Sequence, residues 1–244
     1  MIVTIHQPSY LPWIPFIEKG LRSDVYVLLD HVQFEKNSAQ NRNRIKTAQG
    51  ELWLTVPAAR SSKTLISEVK IPPTAAGWDV KHRQSIEQNY RKAPFFKQVA
   101  NIIFPILERP WENLVDLNLT IDKAFLSMAG FEGNIVRSSK MQIAGTKSEL
   151  ILNICRELGA SSYLSGIAGY DYLNRAGFKA SGIQVLFQQY RHSEYPQRFP
   201  KVGFLPRLSA LDLFMNVGTG SAATAHILDN SCWLTAEDLD THAP

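Results

Sequence analysis

The residues best suited to chemistry stand near the start of the chain, where a short apolar segment leads into a histidine. Val3-Thr4-Ile5 has the length and β-branched content of a buried strand. His6 and Gln7 follow it in a proline-rich turn that also carries Tyr10. Because an imidazole gains and loses a proton near neutral pH, the pattern predicts catalytic roles for His6 and Tyr10. A rigid turn anchored in the core by its aromatic side chains is the structural alternative.

A second set of polar residues follows the next apolar segment. The spacing predicts a helix over 14–22 and a strand over 24–30, which would complete a βαβ unit with parallel strands. In open parallel sheets, ligands bind outside the carboxyl ends of the strands. Asp30 and Gln33 lie at the end of the second strand, as His6 and Gln7 lie at the end of the first. We therefore predict the functional site at this edge of the sheet, with Asp30 as a third catalytic residue beside His6 and Tyr10 and with Gln7 and Gln33 as substrate-binding residues.

The next segment interleaves cations with amide side chains, and its candidate binding residues are Asn41, Arg42, Asn43, Arg44 and Lys46. If the segment is a strand, its three cations share one face. Arginine pairs well with phosphate oxygens, so the segment is a candidate clamp for a diphosphate or a phosphopantetheine donor. The alternative is an ordinary solvated face of a hairpin.

Further candidates lie at the ends of predicted elements. Lys147 stands at the start of a predicted helix and can bind an anion there, although simple helix capping also explains that segment. Ser165-Gly166 ends a predicted strand and suits close approach of a ligand to the backbone. Gln188 and His192 lie at and beyond the last predicted strand. His82 lies on a predicted helix and either packs in the core or points into a cleft.

The remaining segments predict the elements that must position these residues. In the first half of the chain, we predict a hairpin of 44–46 with 52–56, a polar loop over 59–63, an edge strand over 67–71 and helices over 78–90, 95–107 and 112–129. The next segments predict strands over 134–137, 162–166 and 183–188, a helix over 149–158 with Thr146 in a capping box, and a short helix over 170–176 stopped by Gly177. The last segments predict a helix capped by Ser209, a helix over 219–228 and a frayed end from 238.

This alternation of strands and helices indicates an α/β fold with a mostly parallel, Rossmann-like sheet flanked by helices. We assign residues 1–73 and 131–244 to an α/β core domain. Residues 74–130 are predominantly helical in pattern, and we assign them to a helical insertion or cap.

Composition and charge narrow the class of protein. The 244 residues are 45% hydrophobic and 20% charged, as in ordered globular proteins. The net charge of +4 suits an anionic substrate but is too small to indicate nucleic-acid binding. The two cysteines, Cys155 and Cys232, show no disulfide or zinc spacing, and we expect neither a metal nor a cofactor. With no signal peptide and no membrane-spanning run, we expect a cytoplasmic location.

Several stretches of the sequence match one known family. The chain resembles the WbqC-like family of bacterial proteins in Ile5-His6-Gln7-Pro8-Ser9-Tyr10-Leu11-Pro12-Trp13, in Val32-Gln33-Phe34, in residues 41–46, in residues 53–57 and in residues 208–212. The resemblance covers nearly the whole chain. It implies a role in synthesis of surface polysaccharide (O-antigen), amino sugars or secondary metabolites, because the family is associated with gene clusters of these kinds.

On this basis we expect a transferase that moves an acyl or aminoacyl group from a thioester or similar donor to an amine. His6 would serve as the base or orient the nucleophile, Asp30 or Gln33 would position the amine, and the basic segment would hold the donor. The expected partners are a small-molecule substrate, such as a nucleotide-linked amino sugar, and an acyl carrier protein.

Two alternatives remain open. A histidine in the turn after the first strand is typical of HIGH-type nucleotidyl or adenylyl transferases, although the chain lacks their His-x-Gly-His motif. A non-catalytic module that binds a sugar nucleotide or a carrier protein is the other alternative.

Overall fold

The computed structural model describes residues 1–59 and 63–241, which form a six-stranded sheet, a two-stranded hairpin and surrounding helices. In these residues the strands are β1 (Ile2–His6), β2 (Val25–Leu28), β3 (Arg42–Thr47), β4 (Gly50–Thr55), β5 (Asn134–Arg137), β6 (Ser162–Gly166), β7 (Gln184–Tyr190) and β8 (Ser231–Leu234). The α-helices are α1 (Ile14–Leu21), α2 (Trp78–Tyr90), α3 (Phe96–Glu108), α4 (Leu114–Met128), α5 (Lys147–Glu157), α6 (Gly169–Tyr172), α7 (Arg175–Ala180), α8 (Ala210–Val217), α9 (Ser221–Leu228) and α10 (Ala236–Thr241).

The main sheet has the strand order β5-β2-β1-β6-β7-β8, and its neighbours are parallel except for β7 and β8. Counted along the chain, its five parallel strands have the order 3-2-1-4-5, which is the order of Rossmann sheets. The growth of the sheet changes direction between β1 and β6, where Thr4 pairs with Leu164. The predicted α/β fold with a mostly parallel, Rossmann-like sheet is confirmed, as is the βαβ unit β1-α1-β2.

Helices cover both faces of the sheet because its strands are apolar on both sides. Tyr26 and Leu28 of β2 pack in one core with α1, α4, α8 and α9. Val25 and Val27 of the same strand belong to a second core with α5 and α7. The sheet thus separates two hydrophobic cores, and polar residues remain at the carboxyl ends of its strands.

The helices α2, α3 and α4 lie in the segment that we predicted to be an insertion. Tyr90 of α2 and Phe125 of α4 belong to the same buried cluster as Phe16 of α1 and Tyr26 of β2. These helices therefore share a core with one face of the sheet. The division of the chain into a core domain and an insertion stays a prediction.

Two of the predicted elements, an edge strand and a short helix, are wrong. Residues 66–68 form a 3₁₀ turn in place of the edge strand predicted over 67–71, because Ser67 N–H bonds to the Asp30 carbonyl in a loop contact. The helix predicted over 170–176 is interrupted, and Gly177 lies inside α7 because Asn174 caps a new helix there. Of the polar loop predicted over 59–63, residues 60–62 lie outside the described residues.

Two predictions at helix ends are also wrong. Thr146 occupies the N-cap position of α5, but its side chain makes no capping hydrogen bond, since Lys147 begins the helix with a left-handed φ of 50°. The frayed end predicted from 238 is instead helical as far as Thr241, because Thr235 and Asp238 exchange hydrogen bonds at the start of α10. Residues 242–244 of that prediction lie outside the described residues. The strand β8 and the helix α10 were not predicted.

Candidate functional site

A small cavity lies at the carboxyl ends of β1 and β6, where the growth of the sheet changes direction. Its volume is about 260 Å³, and four predicted site residues line it, namely His6, Gln7, Ser165 and Gly166. Lys19 of α1 lines it as well. Ligands of open α/β sheets bind at such a switch point. This cavity, called the switch-point cavity below, is therefore the candidate active site.

Two larger hollows lie beside α2 and away from the ends of the main-sheet strands. One, of about 490 Å³, is lined mainly by apolar residues that include Pro72, Trp78 and Trp111. The other, of about 550 Å³, is lined by Trp53 and His82 among others. Size alone favours these hollows, but the switch-point cavity holds a half-buried histidine at a strand end and a buried lysine, which makes it the better candidate for catalysis.

His6 reaches the switch-point cavity from the last position of β1. Its Nδ1 lies 2.9 Å from the Gln7 carbonyl oxygen, which can only accept, so Nδ1 carries the proton and Nε2 keeps its lone pair. Burial and then the charge of Lys19 lower the pKa of His6 to about 3, although the hydrogen bond to Gln7 opposes this. His6 is therefore a neutral imidazole near pH 7, with an accepting nitrogen.

Lys19 is a charged residue of the cavity wall that was not predicted from the sequence. It is only 4% exposed, and burial lowers its pKa to about 8 while the charge of Glu18 acts in the opposite direction. A neighbouring Glu-Lys pair usually marks the solvent face of a helix. Here seven of the eight residues of α1 are buried. No signal in the sequence distinguishes this enclosed helix from an ordinary amphipathic one.

Ser165 and Gly166 form the opposite wall of the switch-point cavity. The Ser165 hydroxyl donates to the Gly166 carbonyl oxygen over 3.0 Å. A Cβ added at Gly169 would overlap Ser165 Oγ, so the glycine allows α6 to pack directly on the end of β6. The predicted close approach of a ligand to the backbone at this strand end stays a prediction, and the geometry leaves room for it.

Asp30 lies at the neighbouring ends of β2 and β5, outside the described wall of the switch-point cavity. Its buried carboxylate accepts hydrogen bonds from Arg137 Nε at 2.7 Å and from the Ser139 N–H and hydroxyl at 2.8 Å each. Burial raises the pKa of Asp30, but these hydrogen bonds and the Arg137 charge outweigh it and hold the pKa below its usual value. Asp30 thus joins two strands as an ion, and its role towards an amine stays a prediction.

Tyr10 and His82 pair with each other in the core. The Tyr10 hydroxyl lies 2.8 Å from His82 Nδ1, and both side chains are buried. Burial lowers the pKa of His82 to about 4, while a hydrogen bond to the Thr55 backbone and the charge of Asp79 act in the opposite direction. Neither residue lines the switch-point cavity within the described residues. The catalytic role of Tyr10 and the binding role of His82 stay predictions.

The basic segment forms β3 of a hairpin, as predicted, but its cations separate. The guanidinium groups of Arg42 and Arg44 lie 4.4 and 5.2 Å from the ring centroid of Trp53. Lys46 is buried, and its Nζ donates to oxygens of the 197–203 loop. The Arg44 guanidinium also donates to the Glu51 carboxylate and to the Arg207 carbonyl. The three cations therefore have separate partners, and a phosphate clamp stays a prediction.

The side-chain amides of Asn41, which precedes β3, and of Asn43, which lies within it, hold neighbouring backbone segments in place. Asn41 Nδ2 donates to the Val56 carbonyl at 2.9 Å, and Asn43 Nδ2 donates to the Leu11 carbonyl at 2.6 Å. The second bond fixes the hairpin against the turn that follows His6.

The other candidates are spread over the molecule. Gln188 Nε2 donates to the Glu18 carboxylate, and His192 packs with its ring centroid 5.7 Å from that of Trp13. Gln33 lies in a loop and forms an isolated bridge with Leu65. Lys147 is exposed one helical turn before Ile151, which lines the switch-point cavity. Of this group, Lys147 lies on the helix that contributes Ile151 to the cavity wall, and Gln188 pairs in register with Gly166 of the same wall.

Two further findings bear on the class of protein. Within residues 1–59 and 63–241, no group of three or more His, Cys, Asp or Glu side chains could hold a metal ion. Over the same part of the chain, no helix is both long and apolar enough to cross a bilayer.

Comparison with known proteins assigns the chain to a family. The sequence model of the WbqC-like protein family matches residues 7–224. The chain is 33% identical over 220 residues to "Uncharacterized protein Rv1507c" of Mycobacterium tuberculosis (strain ATCC 25618 / H37Rv), and the match covers 88% of this chain and 94% of that protein. No solved structure matches the chain. The resemblance read from the sequence is thus confirmed, and the chain belongs to the WbqC-like protein family.

Proposed function

We propose that the protein is a transferase that moves an acyl or aminoacyl group onto an amine, with the switch-point cavity as its active site. The observation that carries the proposal is the neutral His6, whose Nδ1 is committed to the Gln7 carbonyl and whose Nε2 is left to accept. An amine attacks a carbonyl carbon only as the free base, and an accepting nitrogen beside it aligns its N–H bond. His6 supplies that acceptor at the end of β1.

The low pKa of His6 selects between its two predicted roles. A base whose conjugate acid has a pKa of about 3 accepts a proton poorly near neutral pH. We therefore assign His6 to orienting the amine. In the transfer, the new N–C bond forms while the C–S bond of a thioester donor breaks, and the proton lost by the amine leaves with the thiol.

The size of the cavity limits what it encloses. A volume of about 260 Å³ holds the reacting end of a substrate, whereas whole drug-sized ligands occupy about 300–1,000 Å³. The rest of a nucleotide-linked amino sugar or of a carrier-bound donor would extend along the edge of the sheet. Surface-polysaccharide or amino-sugar biosynthesis is the setting that the family resemblance implies for this reaction.

The test is an assay with acyl-coenzyme A and acyl-carrier-protein donors against nucleotide-linked amino sugars, read by mass spectrometry of the N-acylated product. His6→Ala should lower kcat/KM by at least about 100-fold, because it removes the group that orients the amine. His226→Ala is the matched control, since that histidine lies on α9 outside the described cavity wall. Unchanged turnover by a folded His6→Ala protein would remove His6 from the mechanism.

Nucleotidyl or adenylyl transfer is a second candidate, favoured by the strand order. The order 3-2-1-4-5 is that of nucleotide-binding sheets, and the histidine ends the first strand. This reaction predicts stabilisation by ATP in a thermal-shift measurement and release of pyrophosphate. Pyrophosphate release without N-acylated product would replace the first proposal with this one.

A further inference from the structure

Lys19 presents a buried positive charge that the protein itself does not neutralise. It is 4% exposed, and its Nζ has neither a hydrogen-bond nor an ion-pair partner among residues 1–59 and 63–241. Burying an ammonium group without a partner opposes folding. A protein that keeps such a group beside a cavity gains from it only when something else enters the cavity.

Glu18 is the nearest acid in sequence, but its carboxylate is already occupied. Its buried oxygens accept hydrogen bonds from four side chains on three separate parts of the fold, namely Arg22, Gln188, Ser231 and Trp233. Neighbouring residues on a helix also point in different directions, about 100° apart. Glu18 therefore moderates the charge of Lys19 from a distance and makes no contact with its ammonium group.

The walls of the switch-point cavity offer Lys19 no other anion. None of its lining residues is an aspartate or a glutamate, and His6 is neutral. Ser165 already donates its hydroxyl proton to the Gly166 carbonyl. The cavity is thus a small space with one net positive charge among its walls.

We propose that Lys19 binds a carboxylate or phosphate oxyanion of the substrate inside the switch-point cavity. The proposal deepens the proposed function and rests on it in taking this cavity as the active site. A carboxylate or a phosphoryl group fits a volume of about 260 Å³ with room left for the reacting amine. The substrate or the donor therefore carries its anionic group close to the atoms that react.

Anion binding would also act on His6. The charge of Lys19 contributes to the low pKa of His6, second to burial. An oxyanion on Lys19 offsets that charge, so it makes the bound imidazole a stronger hydrogen-bond acceptor for the amine. Substrate recognition and activation of the site are then linked through two side chains of one βα unit.

The test is titration of the protein with inorganic phosphate and with acetate. Binding is measured by calorimetry and by the shift of the NMR signals of the His6 ring. We expect at least one of the two anions to bind the wild-type protein. Lys19→Met should weaken that binding by at least about tenfold, since a charge-assisted hydrogen bond is lost. Lys123→Met, which removes an exposed lysine of α4, should bind as the wild type does.

Stability separates a binding role for Lys19 from a structural one. Lys19→Met removes an unpaired buried charge, so the variant should unfold at the same or a higher temperature while its anion affinity falls. Loss of stability without loss of affinity would overturn the proposal, as would equal affinity of both proteins or no binding by the wild type. Preference for phosphate or for acetate identifies which anionic group the substrate carries.

The anion-binding measurement tests Lys19 separately from the proposed transfer reaction. Anion binding through Lys19 without any transfer product would leave this inference standing and reject the proposed reaction. Transfer that continues at the wild-type rate in Lys19→Met, with no anion binding, would reject this inference alone.

Discussion

Asp122 of α4 carries a carboxyl group that is fully buried, and neither oxygen has a hydrogen-bond partner among the described residues. Burial raises its pKa well above the usual value, while a backbone interaction with Ser9 acts less strongly in the opposite direction. The Tyr26 hydroxyl is likewise buried and unpartnered, and its pKa is raised by burial and then by Asp122. Asp122 therefore holds a proton at pH values where an exposed aspartate is ionised.

This raised pKa makes stability depend on pH with a definite sign. The unfolded chain loses the Asp122 proton above about pH 4 whereas the folded chain keeps it, so this group's contribution falls as pH rises towards the folded-state pKa. Asp122→Asn mimics the protonated acid and should raise the free energy of unfolding by about 1–3 kcal/mol at pH 7. Urea unfolding at pH 5 and pH 8 measures both effects.

The control for this prediction is Asp171→Asn, at an exposed position of α6, which should leave the pH dependence as in the wild type. If Asp122→Asn keeps the wild-type slope of stability against pH, then Asp122 is ionised in the folded protein and the assignment fails.

Some residues of the candidate site could be predicted from the sequence and others could not. His6 and Ser165 were predicted site residues because each follows a strand, and the carboxyl ends of parallel strands meet at one edge. The structure brings them to one cavity. Lys19 escaped prediction because its importance comes from enclosure by other elements. Arg42 and Lys46 share a strand face by spacing, yet the 197–203 loop draws the lysine away.

Among the elements, the β3–β4 hairpin is fixed to the helices by a buried tyrosine. The Tyr90 hydroxyl accepts the Lys46 backbone N–H at 2.9 Å and donates to Asp212 at 2.7 Å. The Tyr195 hydroxyl donates to the other oxygen of the same carboxylate. One residue of α2 thus joins β3 to α8, and the hairpin holds the turn after His6 through Asn43.

Tyr90→Phe should therefore cost about 2–3 kcal/mol in the free energy of unfolding, because it leaves a buried N–H and a buried carboxylate oxygen without this partner. Chemical denaturation followed by circular dichroism gives the value. The matched control is Tyr172→Phe, whose tyrosine is 54% exposed and which should change stability by less than about 0.5 kcal/mol. Equal costs for the two variants would contradict the role of Tyr90.

Elements with a strong local pattern were predicted well. The segments that became β1, α1, the hairpin and α4 all show a clear apolar period or a turn signal. The prediction for 67–71 was wrong because the contacts of its apolar residues are non-local. Val69 and Ile71 belong to the main buried cluster, and their backbone bonds to Leu114 and Glu112 near the start of α4. Helix ends depended on side-chain geometry that the sequence does not determine, as Thr146 and Gly177 show.

At the scale of the whole molecule, the shared core argues that the helices α2 to α4 and the sheet unfold together. Hydrogen exchange in mild denaturant should give opening free energies for α4 and β2 that agree within about 1 kcal/mol, since their buried side chains pack in one cluster. The helix α10, which has no buried residue, should exchange earlier. Earlier joint exchange of α2, α3 and α4 would instead support an independent insertion domain.

The class of fold followed from the alternation of strands and helices, but the order of strands did not. The residues of β6 do not indicate that it pairs with β1, and not with β5, the strand that precedes it along the chain. That choice places Ser165 opposite His6, and it depends on which faces α1 and α5 cover. The location of the candidate site thus followed from a general rule, while the set of residues that line the cavity required the assembled sheet.

The pairing of β1 with β6 also affects when the cavity can form during synthesis on the ribosome. His6 and Lys19 are synthesised before Gly166, which follows Lys19 by about 150 residues along the chain. Parallel pairing between such distant segments forms late, since a long loop must close first. The nascent chain therefore carries its histidine and lysine without an opposing wall, and the enclosed cavity appears only after β6 has emerged and joined the sheet.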